Sequence, residues 1–266
     1  MSVRVVAIDW SGARAGAGRR IWLAECAAGR LWRLENGRDR EAVAEHLLEE
    51  GRRTPETVVG LDFAFSLPAW FLEERGLASA RDLWALAGRE AERWLAACAP
   101  PFWGRPGRRR PNLPAHLRWT DGAQPAVAGR RPKSVFQVGG AGAVGTGSLR
   151  GMRLLHRLRA AGWSIWPFDP PGWPRAVEIY PRLLTGPVVK SDPVARQAYL
   201  ACRYPTLAPH LRTLAASSED AFDAAVSALV MAAHLGDLVA LAPATDREAL
   251  LEGLIWLPAG PVEQVD

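Results

Sequence analysis

Five acidic residues of this 266-residue chain have the types and positions expected of a site for divalent cations. They are Asp9, Asp62, Glu178, Asp220 and Asp223. Carboxylates brought close together repel one another and keep their protons unless a cation neutralises them. Hard divalent ions bind through oxygen ligands of this kind, and two ions bridged by carboxylates commonly cleave phosphodiester bonds. The acidic set therefore indicates metal-dependent hydrolysis, provided that the fold brings these residues together.

The pattern around Asp9 and Asp62 predicts that both carboxylates lie at one edge of a sheet. Residues 3–8 are almost entirely apolar and predict a buried strand that ends at Asp9, and residues 57–65 repeat this pattern around Asp62. A helix between the two strands makes the second parallel to the first, and open α/β sheets bind ligands at the carboxyl ends of such strands. The alternative is that each Asp only caps the turn after its strand. Between the two strands, residues 21–26 and 31–34 predict a hairpin, and residues 38–53 predict an amphipathic helix.

The remaining acids fall on a predicted helix and a predicted strand. Asp220 and Asp223 are three residues apart in a helix over residues 220–235, so they share one face, and Asp223 is aligned with apolar residues that face the core. A carboxylate that faces a core needs a partner. Glu178 belongs to a strand predicted at residues 175–180. The alternatives are that Asp220 only caps its helix and that Glu178 points to water from an edge strand.

A glycine-rich run at residues 139–147 is a second candidate for chemistry. Gly140, Gly142 and Gly145 have the spacing of a dinucleotide-binding loop, after a short strand predicted at residues 134–138. The helix predicted after the run, at residues 148–161, begins late for such a loop, and no Lys follows the last glycine as a Walker A loop requires. The amides around Gly140 and Gly142 could instead bind a phosphate of another ligand.

Positive charge is concentrated in one irregular segment. The net charge of +5 comes from 31 arginines and only two lysines among 33 basic residues, a bias that a GC-rich coding sequence would also explain. Many of these residues crowd residues 99–133, where seven prolines and several glycines break any regular period. Long irregular insertions are often functional, and this one predicts a nucleic-acid partner. The residues expected to contact phosphates or bases are Arg130, Arg131, Lys133, Trp103 and Trp119.

Composition limits the class of protein. A hydrophobic fraction of 48% supports a real core, and three widely separated cysteines exclude a disulfide scaffold and favour the cytosol. No signal peptide or membrane span is recognisable. The five histidines lack the spacing of metal ligands, and the chain has no G-x-S-x-G nucleophile elbow to which a catalytic histidine could belong. We therefore expect a soluble, cytoplasmic α/β protein. One domain is predicted over residues 1–266, with the irregular basic insertion at about 99–150.

Five segments, in order along the chain, resemble the predicted RNase H-like nucleases grouped as domain of unknown function family 429. They are residues 8–12, 60–68, 133–151, 177–181 and 219–225. The resemblance implies a ribonuclease H-like fold, a five-stranded mixed sheet with its first three strands antiparallel and helices on its faces. The layout is also similar to that of Holliday-junction resolvases, which implies that Asp9, Asp62, Asp220 and Asp223 are the metal ligands, with Glu178 as a less secure catalytic acid.

The implied activity is a nuclease that uses Mg²⁺ or Mn²⁺. Asp9 would bridge two ions, Asp62 and Asp223 would complete their shells, and Asp220 or Glu178 would orient the attacking water. Residues 9–12, with Ser11, also resemble the first phosphate loop of actin-like ATPases and sugar kinases, so a phosphotransferase is an alternative, although those proteins carry two copies of the fold. A non-catalytic nucleic-acid-binding protein is the third possibility. The sequence predicts no oligomeric state.

Overall fold

A six-stranded mixed sheet forms the centre of the structure, a computed structural model that describes residues 3–260. The strand order is β3-β2-β1-β4-β6-β5. The strands are β1 (Arg4–Asp9), β2 (Trp22–Ala27), β3 (Arg30–Glu35), β4 (Thr57–Leu61), β5 (Ser164–Ile165) and β6 (Arg175–Glu178). Strands β1, β2 and β3 are antiparallel neighbours, whereas β1, β4, β6 and β5 run parallel.

The helices cover both faces of this sheet. The longer ones are α1 (Arg40–Arg53), α3 (Ala80–Ala97), α5 (Gly145–Ala160), α7 (Pro193–Arg203), α8 (Pro209–Ala216) and α9 (Glu219–Ala233). The short ones are α2 (Ala69–Glu73), α4 (Trp119–Ala123), α6 (Pro181–Thr185), α10 (Leu235–Val239), α11 (Arg247–Glu252) and a 3₁₀ turn at Ala17–Arg19. No helix within residues 3–260 is both long and apolar enough to span a membrane.

Alternation along β1 divides the core into two layers. Val6 and Ile8 pack with the helices of one face, α1, α3 and α5, whereas Val5 and Ala7 pack with α9 on the other. Successive side chains of a strand point to opposite faces, so a strand covered on both sides must be apolar throughout. Strand β4 has the same character, since all five of its residues are buried. The predicted central pair of buried parallel strands is confirmed.

The prediction of five strands is wrong, because the sheet has six. The added edge strand is β5, which is only two residues long. Pro167 has no amide hydrogen to extend the ladder, which explains its early end. Strand β6 occupies the place between β4 and β5, so Glu178 is not on an edge strand facing water.

The strand predicted at residues 134–138 is also absent. The Oγ of Ser134 accepts a hydrogen bond from the amide of Phe136 at 3.2 Å, a local turn that competes with strand pairing. Only one isolated bridge remains, between Trp103 and Gln137. Helix α5 then begins at Gly145, three residues earlier than predicted, so the end of the expected insertion at 99–150 belongs to the helical layer. The described strands, from both halves of the chain, all lie in the one sheet.

Candidate active site

Asp9 and Asp62 lie side by side at the carboxyl edge of the sheet. Ile8 of β1 pairs with Leu61 of β4, so each aspartate immediately follows one member of that pair. The amide of Asp62 donates to the carbonyl of Ile8 at 3.1 Å, which continues the ladder to the site itself. Both side chains remain partly exposed. The geometry is the one that the two apolar runs predicted.

Helix α9 brings Asp223 to the same edge. The helix packs across β1, β2 and β3, and it begins after Ser218, whose side chain accepts a hydrogen bond from the amide of Ala221 at 3.0 Å. Ser218 is therefore the capping residue, and Asp220 in the first turn is free for another role. Asp223 lies one turn further along and is buried, with 8% of its surface exposed.

The four aspartates interact electrostatically. Burial, followed by the charges of Asp62, Asp223 and Asp220, raises the pKa of Asp9 well above its usual value. Burial and the charge of Asp223 raise the pKa of Asp62 to about 8. Burial also raises the pKa values of Asp223 and Asp220. Such mutual repulsion, in groups contributed by β1, β4 and α9, is the electrostatic situation that a bound cation relieves.

Lys190 is a member of this site that the sequence did not indicate. Its ammonium group donates to Oδ2 of Asp223, and both residues are largely buried. Its charge lowers the pKa values of Asp9, Asp62, Asp223 and Asp220 and so offsets part of their repulsion. The only available signal was that Lys190 is one of two lysines in a chain with 31 arginines.

The donor set of this site fits a hard divalent cation. Within residues 3–260, no three Asp, Glu, His or Cys side chains are grouped closely enough to hold a metal ion as they stand. However, Oδ1 of Asp223 is buried without a hydrogen-bond partner, and a buried acceptor of this kind is costly to leave unsatisfied. Carboxylate oxygens are the ligands that Mg²⁺ and Mn²⁺ prefer. The residues that could hold the ion are Asp9, Asp62 and Asp223, with Asp220 beside them.

Glu178 is committed to a buried ion pair instead. Its Oε2 accepts from Nη1 of Arg118 at 2.8 Å and from the amide of Phe65 at 2.8 Å, while its Oε1 accepts from Nη2 of Arg118 at 2.5 Å. Arg118 also binds Asp121 through two hydrogen bonds from its guanidinium group. Arg118 belongs to the basic segment of residues 99–133, but it is 2% exposed and anchors its segment to the sheet edge.

A cavity of about 200 Å³ beside Asp62 contains some of the predicted substrate-binding residues. Lys133, Gly142 and Gly12 line it together with Asp62 and Glu178. The ammonium group of Lys133 donates to the carbonyl of Ala141 at 3.1 Å and stays on the open side of the loop. Gly12 allows a close approach, because a Cβ there would lie 2.5 Å from the amide nitrogen of Gly147.

Other predicted contacts lie at the margin of this cavity or away from it. Ser11 caps its own turn, since its Oγ accepts from the amide of Ala13 at 3.2 Å. Arg131 donates to the carbonyl of Gln124 at 3.1 Å. Arg130 is exposed, and its charge offsets part of the rise that burial and Asp62 cause in the pKa of Tyr180, which lines the cavity. Gly140 has a positive φ of 78° and lies outside the lining.

The two tryptophans proposed to stack on bases have different environments. Trp103 is 9% exposed and packs against Phe136 and His116, so the proposal is wrong for this residue. Trp119 is 55% exposed and keeps a free face. The prediction that the glycine run binds a dinucleotide also lacks its structural context, because no strand leads directly into the run at Gly140.

No protein-family profile, curated protein or solved structure matches this chain. The resemblance to predicted RNase H-like nucleases stays a prediction.

Proposed function

We propose that this protein is a metal-dependent nuclease that hydrolyses phosphodiester bonds of DNA or RNA within a ribonuclease H-like fold. The observation that carries the proposal is the convergence of Asp9, Asp62 and Asp223 from three distant parts of the chain, with Asp220 adjacent. Their carboxylates raise one another's pKa values, and Oδ1 of Asp223 has no partner. A bound Mg²⁺ or Mn²⁺ would supply a nucleophilic water and neutralise charge on the phosphate.

The residues of the chain have separate roles in this proposal. Asp9, whose pKa is raised by burial and by the charges of the other three aspartates, would hold the cation from the centre of the site. Asp62 and Asp223 would hold it from β4 and α9, and Asp220, which is partly exposed, would accept a proton from water. Lys190 fixes Asp223 by its hydrogen bond and contributes a positive charge. Glu178 positions the surrounding loop through Arg118, and its charge also raises the pKa of Asp62.

A nucleic-acid substrate accounts for the basic residues around this acidic centre. Lys133 lines the cavity beside Asp62, and Arg130 is exposed near Tyr180 of the same cavity. Exposed arginines at residues 105–110 extend the positive surface of the irregular segment. Positive charge around the four aspartates would attract a polyanion to a site whose carboxylates would otherwise repel it.

The test is a cleavage assay with labelled single-stranded, duplex and branched DNA and RNA, in Mg²⁺, in Mn²⁺ and in excess chelator. We expect metal-dependent cleavage by the wild type, and a loss of at least about a hundredfold in Asp9→Asn and Asp223→Asn. Glu219→Gln is the matched control, because it removes an exposed carboxylate from α9, one turn before Asp223. Metal-independent cleavage, or equal rates in all variants, would contradict the proposal.

Two other outcomes would favour the alternative functions. Stabilisation by ATP with transfer of phosphate and no cleavage would indicate the actin-like or sugar-kinase-like phosphotransferase. Tight binding of nucleic acid with no cleavage in either metal would indicate a non-catalytic binding protein. Each result can be read from the same purified protein.

A further inference from the structure

A cleft lined by arginines lies on the face of the sheet covered by α1, α3 and α5. Its volume is about 600 Å³. Seven arginines and three acidic residues line it, which leaves an excess of four positive charges. These arginines are outside the basic segment that the sequence singled out, and they come from four separate elements.

Three of the arginines make no ion pair or side-chain hydrogen bond within residues 3–260, and they are exposed. They are Arg14, Arg19 and Arg89. A fourth, Arg153, has only a 3.4 Å contact with Glu41 and is 62% exposed in its side chain. Burial, together with the charge of Arg150, lowers the pKa of Arg40, so positive charge in the cleft is crowded. An arrangement of this kind is suited to several phosphate groups at once.

Two further arginines of the cleft, Arg40 and Arg150, connect it to the candidate active site. Nη1 of Arg40 donates to the carbonyls of Ser11 and Ala13, at 2.9 and 2.8 Å, and Arg150 donates to the carbonyl of Gly12. These residues form the loop that directly follows Asp9. Trp10 lines both the arginine cleft and the cavity beside Asp62, so the two are separated only by the first residues of this loop.

The spacing along α5 favours a polymer over a single phosphate. Arg150, Arg153 and Arg157 lie at intervals of three and four residues and all line the cleft. They span roughly 10 Å of helix at 1.5 Å per residue. A nucleic-acid strand rises by about the same distance over three nucleotides.

We propose that the arginine cleft binds the phosphate backbone of a nucleic-acid strand and delivers that strand to Asp9. This inference rests on the proposed nuclease function only for the identity of the substrate. The cleft supplies sequence-independent contacts at one side of the acidic site, while Lys133 and the irregular segment lie at the other side.

The test measures binding of a fluorescently labelled single-stranded oligonucleotide and its duplex by anisotropy, at a series of KCl concentrations. All proteins carry Asp9→Asn, so that no cleavage interferes. The cleft variant is Arg14→Gln with Arg89→Gln and Arg153→Gln. The control, Arg30→Gln with Arg52→Gln and Arg53→Gln, makes the same change in net charge with exposed residues, at the hairpin turn and at the far end of α1.

We expect the cleft variant to bind at least about tenfold more weakly than the parent, with a salt slope reduced by roughly two to three. The control should bind like the parent. Equal binding by the cleft variant and the control would overturn the inference, as would no binding by the parent. Displacement of the oligonucleotide by an equal concentration of mononucleotide would also overturn it, because the cleft would then be a site for a small phosphate ligand.

Cleavage by the otherwise wild-type protein is measured separately. If the cleft variant binds more weakly and the wild-type active site cleaves nothing, the proposed binding role of the cleft is supported and the proposed nuclease function is contradicted. If the cleft variant and the control cleave with equal efficiency, the nuclease function is supported and the binding role of the cleft is contradicted.

Discussion

The ammonium group of Lys190 donates a hydrogen bond to Oδ2 of Asp223, while the other oxygen of the same carboxylate, Oδ1, is buried without a partner. One oxygen of this carboxylate is thus paired with a positive charge of the chain, and the other oxygen has no partner. The pair allows four carboxylates to share one sheet edge in the folded protein. It also leaves negative charge on the carboxylates that the chain does not compensate and that a divalent cation would neutralise.

Removal of the Lys190 charge should make the fold depend on a divalent cation. In Lys190→Met the carboxylate of Asp223 loses the ammonium group that it contacts, and breaking a buried pair costs roughly 3–5 kcal/mol of unfolding free energy. Urea unfolding should show this loss in chelator and a smaller loss in Mg²⁺. Lys190→Arg, which keeps the charge, is the control. The same stability for Lys190→Met and wild type in chelator would show that the pair does not hold the site together.

Neutralising Asp62 should stabilise the protein in the absence of metal. Its pKa is raised from 3.8 to about 8 by burial and by Asp223, so the folded state binds more protons than the unfolded state between these values. Stability should therefore fall as pH rises through this window. Asp62→Asn should flatten that fall and raise the melting temperature at the upper end of the window, measured in chelator. A variant that melts below the wild type throughout would contradict the electrostatic account.

A second buried acid should have the opposite pH dependence. Burial by itself would raise the pKa of Glu25, but hydrogen bonding to His46 and the charge of Arg33 lower it below 4.5. Its contribution to stability is complete above that value and is lost as pH falls through the lowered pKa. Glu25→Gln should therefore be less stable than wild type at neutral pH, and thermal melts should show the difference closing under acid conditions. A difference that widens in acid would refute this sign.

Arg118 should be required to hold the irregular segment against the sheet. Arg118→Met would leave Glu178 and Asp121 buried without their shared partner, at a cost of roughly 3–5 kcal/mol. We expect a lower melting temperature and faster limited proteolysis within residues 99–144. Arg110→Met changes an exposed arginine of the same segment and should leave both measurements unchanged. Equal proteolysis of the two variants would mean that the segment is held by other contacts.

The sequence predicted those parts of the site that depend on regular elements. Asp9 and Asp62 meet because two apolar runs pair in parallel, and the buried side of α9 follows from its helical period. Lys190 and Arg118 come from segments without a period, so nothing in the sequence indicates which way they face. For the strand expected at residues 134–138, local hydrogen bonding by Ser134 overrode its apolar composition.

The arginine cleft shows a further limit of sequence reasoning. Its residues are scattered through α1, α3, α5 and the loop after β1, and each looks like an ordinary exposed charge on its own element. Only the packing of α3 and α5 against one another and of α1 against α5 brings them together. The local density of arginine in residues 105–133 pointed instead to the irregular segment, where Arg118 is buried in an ion pair.

The most direct test of the central claim is Mn²⁺ binding, measured by electron paramagnetic resonance as the loss of the free-ion signal. The claim is that Asp9, Asp62 and Asp223 form a site for a divalent cation. Wild type and Glu219→Gln should bind Mn²⁺ saturably, Mg²⁺ should compete, and Asp9→Asn and Asp223→Asn should bind it much more weakly. Absence of saturable binding by the wild type, or equal binding by all four proteins, would contradict the account.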